Sequence, residues 1–319
     1  MEVIQKILAF LNTQWETPKS YGTFHISFLI ATVLVTILLC FLWKKKVIKN
    51  PQKVILVIAI IVLIFEIYKQ IVLTFGNGTS APSYQWWAFP WQFCSTPLYI
   101  GLLAGLTKGK MREHFDAYLA TYALFAGLAV MLYPGDVFNP TLGICIQTMI
   151  CHGSMVVVAA FLYYTGYVKS HINTLWKAIP VFAITLGFAI TLNEVAYFIG
   201  ITENNVFNMF FISRHFDSTL PVYSLVHNGI MASNPNLYPF CVVIYLIGFT
   251  LVALIMLSIP MAIRKFNNTD FDARYAELDQ RRLEEARIRA EKRAALEAHL
   301  DDEIIAKEEA KAQKEQTEE

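Results

Sequence analysis

Cys94 stands between two prolines in FPWQFCSTP, residues 89–97. Thiolate attack on an acyl carbon needs a sulfur, a base to take its proton, and donors to hold the oxyanion. Pro90 suits a first helical turn, where its missing N–H has no intrahelical partner to lose. Pro97 removes the N–H that would bond the Phe93 carbonyl, which loosens the helix around Cys94. Helical side chains lean towards the N-terminus, so the sulfur is expected over the free N–H groups of Trp91 and Gln92. The partial positive charge there favours an anion. His152 is the histidine expected at matching depth in another span, and is the candidate base. The plainer reading is that the prolines bend a helix around a packing cysteine. His152 would then be a hydrogen-bonded core residue, with Thr148 four positions earlier satisfying one ring nitrogen.

Other polar residues fall at similar heights. Glu66 lies ~13 Å into its span, with Lys69 and Gln70 on the same helical face. Glu66 and Lys69 either neutralise each other or line a polar cavity. Asn193 and Glu194 lie ~10 Å into theirs. Four spans thus place polar groups together, and a shared hollow explains that more economically than four separate accommodations. Cys94, Cys145 and His152 lack compact ligand spacing and a fourth ligand, so no metal is expected. No soluble cofactor is required.

The elements that must position these residues follow from composition. The 319 residues are 55% hydrophobic, which implies a membrane protein. Residues 1–265 carry 16 Lys/Arg against 9 Asp/Glu, and residues 266–319 carry 10 against 16. No basic surface is interleaved with stacking aromatics, which excludes nucleic-acid binding. An odd number of scattered cysteines argues against a disulfide framework. Seven apolar segments are long enough to cross a bilayer, near 22–43, 53–75, 86–107, 117–133, 141–165, 174–200 and 238–262. Lysine-rich loops follow the odd-numbered spans, and Arg214 is the single basic residue of the alternate loops. The predicted fold is therefore all-α and polytopic, with the N-terminus outside and the C-terminus cytoplasmic. Residues 1–21 read as an interfacial segment, 22–265 as the seven-helix domain and 266–319 as a charged cytoplasmic helical tail. The tail reads as a solvated helix, with a partner-binding coiled coil as the alternative. Asn77 begins an N-glycosylation sequon.

Three stretches carry a family resemblance: FPWQFCS at 89–95, ICHGS at 150–154, and LNEVAYFIG at 192–200 followed by NMFFIS at 208–213. In order and spacing they resemble the YwaF-type bacterial integral membrane family, over roughly residues 50–263. That family's animal relatives include a cysteine-dependent transmembrane acyltransferase that remodels ether phospholipids. Gln92 stands where histidine is more usual in the family. The resemblance implies acyl transfer on membrane lipids, in the cytoplasmic membrane of a bacterium. Cys94 is then the nucleophile and His152 its base, with Asn193 orienting the imidazole or assisting the oxyanion. Asn208 is expected to hold the outer loop or contact a headgroup, and Gln92 and Glu66 to contact substrate. The rival readings are a carrier for a polar or amphipathic solute using the same hollow, and a scaffold whose tail recruits cytoplasmic partners.

Overall fold

The computed structural model describes residues 2–76, 82–135, 137–201 and 207–267, and in the tail residues 276, 279–280, 283–284 and 286–300. Two compact units divide the chain, Met1–Asn267 and Asn268–Glu319. The sequon at Asn77 lies outside the described residues.

The first unit is all-helical among the described residues. Its helices are α1 (Glu2–Leu11), α2 (Thr23–Lys44), α3 (Pro51–Phe75), α4 (Thr96–Leu106), α5 (Gly109–Ala120), α6 (Tyr122–Leu132), α7 (Leu142–Thr165), α8 (Ile172–Phe198), α9 (Tyr223–Ser233) and α10 (Tyr238–Asn267). Six stretches are long and apolar enough to cross a membrane: α2, α3, α5 with α6, α7, α8, and Pro235–Arg264. Mixed burial along α7 reflects its central place, whereas α2 buries only His25. Two glycines let neighbours close on α7. A Cβ on Gly127 of α6 would lie 2.7 Å from the His152 carbonyl, and one on Gly153 would lie 2.7 Å from Thr32 Oγ1 of α2.

The expected third span is corrected. Residues 86–107 do not form one helix: a 3₁₀ turn at Trp86–Ala88 is followed by irregular turns, and helix begins only at Thr96. The prolines explain this. Phe89, preceding Pro90, is extended at φ −49°, ψ 135°, as a pre-proline residue prefers. Pro97 sits in the first turn of α4, where a proline starts a helix rather than bending one. The eleven residues of α4 reach ~16 Å, about half a bilayer core. The stretch nonetheless runs beside α3 from end to end. Gln70 Nε2 donates to the Ala88 carbonyl at 2.9 Å, and Gln52 Nε2 donates to the Gly105 and Thr107 carbonyls at 2.9 and 2.6 Å.

An aromatic cluster fixes the irregular part. Phe93 meets Phe125, Phe182, Phe210 and Phe249 at ring separations of 4.9–6.5 Å. Such pairs contribute roughly 0.5–1.5 kcal/mol each beyond area burial, so the residue next to Cys94 is firmly anchored. The N-terminal segment docks on the end of the bundle where α3 finishes and α7 begins. Asn12 Nδ2 donates to the Gly76 carbonyl at 2.7 Å, and Trp15 N–H to the Pro140 carbonyl at 2.7 Å.

In the second unit, residues 286–300 are helical and almost wholly exposed. Arg287–Glu291 and Arg293–Glu297 pair at 2.9 and 2.8 Å, four residues apart. Leu296 and Leu300 are exposed, as in a solvated helix held by local charge pairs.

Candidate functional site

Cys94 is half-buried, in the turn just before the Ser95 cap of α4. Ser95 and Thr96 N–H groups both bond the Gln92 carbonyl, at 2.8 and 3.2 Å. The Phe93 carbonyl, which Pro97 cannot satisfy, accepts instead from Thr96 Oγ1 at 2.9 Å, and that hydroxyl meets Tyr118 OH at 2.6 Å. The expectation of a helical first turn beneath the sulfur is therefore corrected. Trp91 N–H is already bonded to the Phe89 carbonyl at 2.7 Å, so it is not a free oxyanion donor.

The residue of α7 that meets this turn is Cys151. Its Sγ lies 3.9 Å from the Cys94 carbonyl oxygen. His152 follows one position on, which is ~100° around the helix. Its Nδ1 is 2.8 Å from the Thr148 carbonyl. A carbonyl only accepts, so Nδ1 carries the proton and Nε2 the lone pair. His152 is 6% exposed, and Nε2 is enclosed with no hydrogen-bond partner among the described residues. No hydrogen bond between Cys94 and His152 is present. Cys145 belongs elsewhere: its Sγ–H donates to the Asn139 carbonyl at 3.1 Å and ties down the loop before α7.

Glu66 is buried and pairs with Lys69 at 2.8 Å. Gln70 Nε2 donates to Glu66 Oε1 at 2.8 Å and Tyr84 OH donates to Gln70 Oε1 at 2.7 Å. The network thus ties the end of α3 to the loop that leads to Cys94. Burial raises the Tyr84 phenol pKa, as does the Glu66 carboxylate, so the hydroxyl stays a donor.

The remaining site residues converge on one strained loop. Asn193 of α8 clamps Met209 from both sides: Oδ1 accepts from Met209 N–H at 2.7 Å, and Nδ2 donates to Met209 carbonyl at 3.0 Å. Gln92 clamps the neighbours in the same way. Its Oε1 accepts from Phe210 N–H at 3.0 Å and its Nε2 donates to the Asn208 carbonyl at 3.1 Å. Asn208 Oδ1 accepts from Ser213 N–H at 2.9 Å, and Tyr245 OH of α10 donates to the Phe210 carbonyl at 3.0 Å. Phe210 and Phe211 have φ of 59° and 53°, a left-handed backbone unfavourable for phenylalanine. Side-chain clamps and burial of the Phe210 ring hold it. Glu194, next to Asn193, pairs with Arg214 at 2.7 Å, so the basic residue that stood out in the alternate loops neutralises a local carboxylate.

The polar groups expected to share one hollow are thus divided among separate networks. Two cavities beside α7, walled by described residues, are both apolar. One of about 30 Å³ lies between α3, α4, α5 and α7, with Pro97, Cys151 and Ser154 in its wall. One of about 300 Å³ lies between α2, α3 and α7. Neither has Cys94, His152 or Glu66 in its wall. Among the described residues no group of three His, Cys, Asp or Glu side chains is placed to hold a metal ion.

Sequence reasoning missed three features. Cys151 carries no sequence signal that sets it apart from the other scattered cysteines, and only the packing of α7 on the turn brings it to the Cys94 carbonyl. Asp116 is buried beside Arg112, at 3.3 Å; their four-residue spacing was a readable signal. His25 is wholly buried, taking Tyr21 N–H on Nδ1 and reaching the Met131 carbonyl through Nε2, both at 2.9 Å.

A family model described as the TMEM164 family matches residues 20–261. No curated protein and no solved structure matches the chain.

Proposed function

This chain belongs to the TMEM164 family, and from that premise we propose that it moves fatty acyl groups between membrane glycerolipids through Cys94. We read the stretch from Trp86 to Leu106 as a seventh, partly non-helical crossing. On that reading the chain has its N-terminus outside and its tail in the cytoplasm, in a bacterial cytoplasmic membrane. The positive-inside bias of the loops supports this orientation.

The observation that carries the enzymatic reading is the His152 ring. A neutral imidazole fixed through Nδ1–H leaves a buried lone pair on Nε2 with nothing to accept from, one residue from the point where α7 meets the Cys94 turn. An unmade hydrogen bond of this kind costs about 1–3 kcal/mol, which fits a base kept ready for a proton. Catalytic hydrogen bonds are often long before substrate arrives.

In the first half-reaction His152 Nε2 takes the thiol proton and Cys94 Sγ attacks the ester carbonyl carbon. The tetrahedral intermediate collapses with C–O cleavage. The departing lysolipid oxygen takes the proton from His152, leaving an acyl thioester on Cys94. In the second half, the hydroxyl of an acceptor lysolipid, or water, gives its proton to His152 and attacks the thioester. Cys94 leaves as thiolate and recovers the proton. Gln92, Asn193 and Asn208 serve as positioning residues, holding the 208–213 loop over the Cys94 turn.

The test uses vesicles containing a phosphatidylcholine with an alkyne-tagged acyl chain. The expected result is a hydroxylamine-sensitive acyl adduct at Cys94. Cys94→Ala abolishes it, and His152→Ala slows its formation by about 100-fold or more. Cys40, half-buried in α2, is the internal control. An adduct that forms on Cys40 as readily as on Cys94, or never on Cys94, rejects the proposal.

A further inference from the structure

We infer that the groove between α2, α3 and α7 is the site for one hydrocarbon chain of a bilayer glycerolipid, lying against the acyl-transfer site. The groove has about 300 Å³ of space, walled by residues such as Phe28, Ala31 and Val35 of α2, Ile61 of α3, and Met149 and Val157 of α7. These positions lie within helices long and apolar enough to span a membrane, so hydrocarbon is the surrounding medium on the proposed reading. Gly153 contributes to the hollow by having no side chain.

The wall has no donor to offer a polar ligand. It contains no charged residue, and its two hydroxyls are occupied within their own helices. Thr32 Oγ1 donates to the Phe28 carbonyl at 2.8 Å and Ser154 Oγ to the Cys151 carbonyl at 2.7 Å. A polar solute placed there would lose its hydrogen bonds to water and gain none. A methylene chain loses nothing.

Continuity assigns the chain to the thiol site. The groove shares Ile58, Val62 and Ser154 with the small inner cavity of about 30 Å³. That inner cavity is walled on its other side by Pro97 and Cys151, the residues that back the Cys94 turn. Ile58, Val62 and Ser154 therefore form a neck between a preformed outer groove and a much smaller inner cavity. An acyl chain entering from the bilayer displaces the two aliphatic side chains at the neck, and its carbonyl end is carried towards Cys94. This assignment rests on the acyl-transfer reading for its direction, but chain occupancy is measured separately.

The experiment places the full chain in phosphatidylcholine nanodiscs doped with a phosphatidylcholine that carries a mid-chain diazirine. Cross-linked peptides are mapped after irradiation. Groove peptides of α2 and α7 are expected to cross-link several-fold more than the exposed α8 face at Ile184. Ala31→Phe or Val35→Phe, each filling the groove from an exposed helix, should lower groove labelling to the α8 level without changing α8. Cys94→Ala should leave groove labelling intact. Groove labelling no higher than at Ile184, or unchanged in both filled variants that retain the wild-type α8 pattern, overturns the inference. Groove labelling with no adduct at Cys94 keeps the chain site and removes the transfer reading.

Discussion

At the scale of single residues, the proposed acyl-transfer site consists of one half-buried thiol and one buried lone pair, with Cys151 meeting the Cys94 carbonyl. Cys94 and His152 do not hydrogen-bond, so the proposed reaction requires the imidazole to approach the thiol when lipid binds. His152→Gln separates base from shape: glutamine fills the space but cannot take the proton. Its acyl adduct should form about as slowly as in His152→Ala, a loss of 100-fold or more, while thermal stability stays near wild type. Rates close to wild type in His152→Gln would show that another group is the base. Gln92 is a different kind of residue. Its amide holds two backbone groups, Phe210 N–H and the Asn208 carbonyl. Gln92→Ala leaves both unpartnered, at about 1–3 kcal/mol each. The expected signature is lower stability together with weaker acylation; weaker acylation at unchanged stability would mark direct substrate contact instead.

At the scale of elements, the loop at 208–213 is the part under strain, and α8 holds it through Asn193. Asn193→Ala frees the N–H and carbonyl of Met209 and should destabilise the loop by about 2–6 kcal/mol. The measurement is limited proteolysis: cleavage between α8 and α9 should quicken markedly while other sites keep their rates. Uniform acceleration would mean that Asn193 supports the whole bundle rather than this loop. The α6–α7 contact makes a second prediction. A side chain at Gly127 meets the His152 carbonyl at 2.7 Å, so Gly127→Leu must push the two helices apart. Overpacking of this kind costs about 1–3 kcal/mol. It should also depress Cys94 acylation more than Gly187→Leu, where a Cβ meets open space. Equal effects from the two substitutions would dissociate the helix contact from the site.

At the scale of the whole molecule, α7 packs against α2, α3, α5 and α6, and the composite stretch that leads into α4 runs beside α3. The orientation predicts that cysteines introduced near Lys45 and Lys108 react only with reagents that enter the cytoplasm, whereas one at Trp15 reacts from outside; the reverse pattern would invert the topology. The sequence alone determined the all-helical membrane class, five of the helical spans to within a few residues, and the exposed tail helix. These follow from local hydropathy and charge, which each segment carries by itself. It also singled out the Glu66–Lys69 pair, because a three-residue spacing within one helix fixes the contact. The helical continuity of the third segment was misjudged because its apolar composition satisfied a length rule, while two prolines interrupt the helix and Tyr118, Thr96 and Gln70 satisfy groups of the irregular backbone. Asn208 reads as a residue that could hold the outer loop, but the roles of Gln92 and Asn193 were not legible as backbone clamps, since an amide in a span reads the same whether it faces a ligand or a loop. Only the tertiary structure decided that Cys151, not His152, meets the Cys94 turn, that the polar groups are divided among separate networks, and that the two hollows beside α7 are apolar. Those facts depend on the rotation of each helix about its own axis and on where a distant loop returns. Both are set by packing between segments far apart in the chain, and no single segment encodes them.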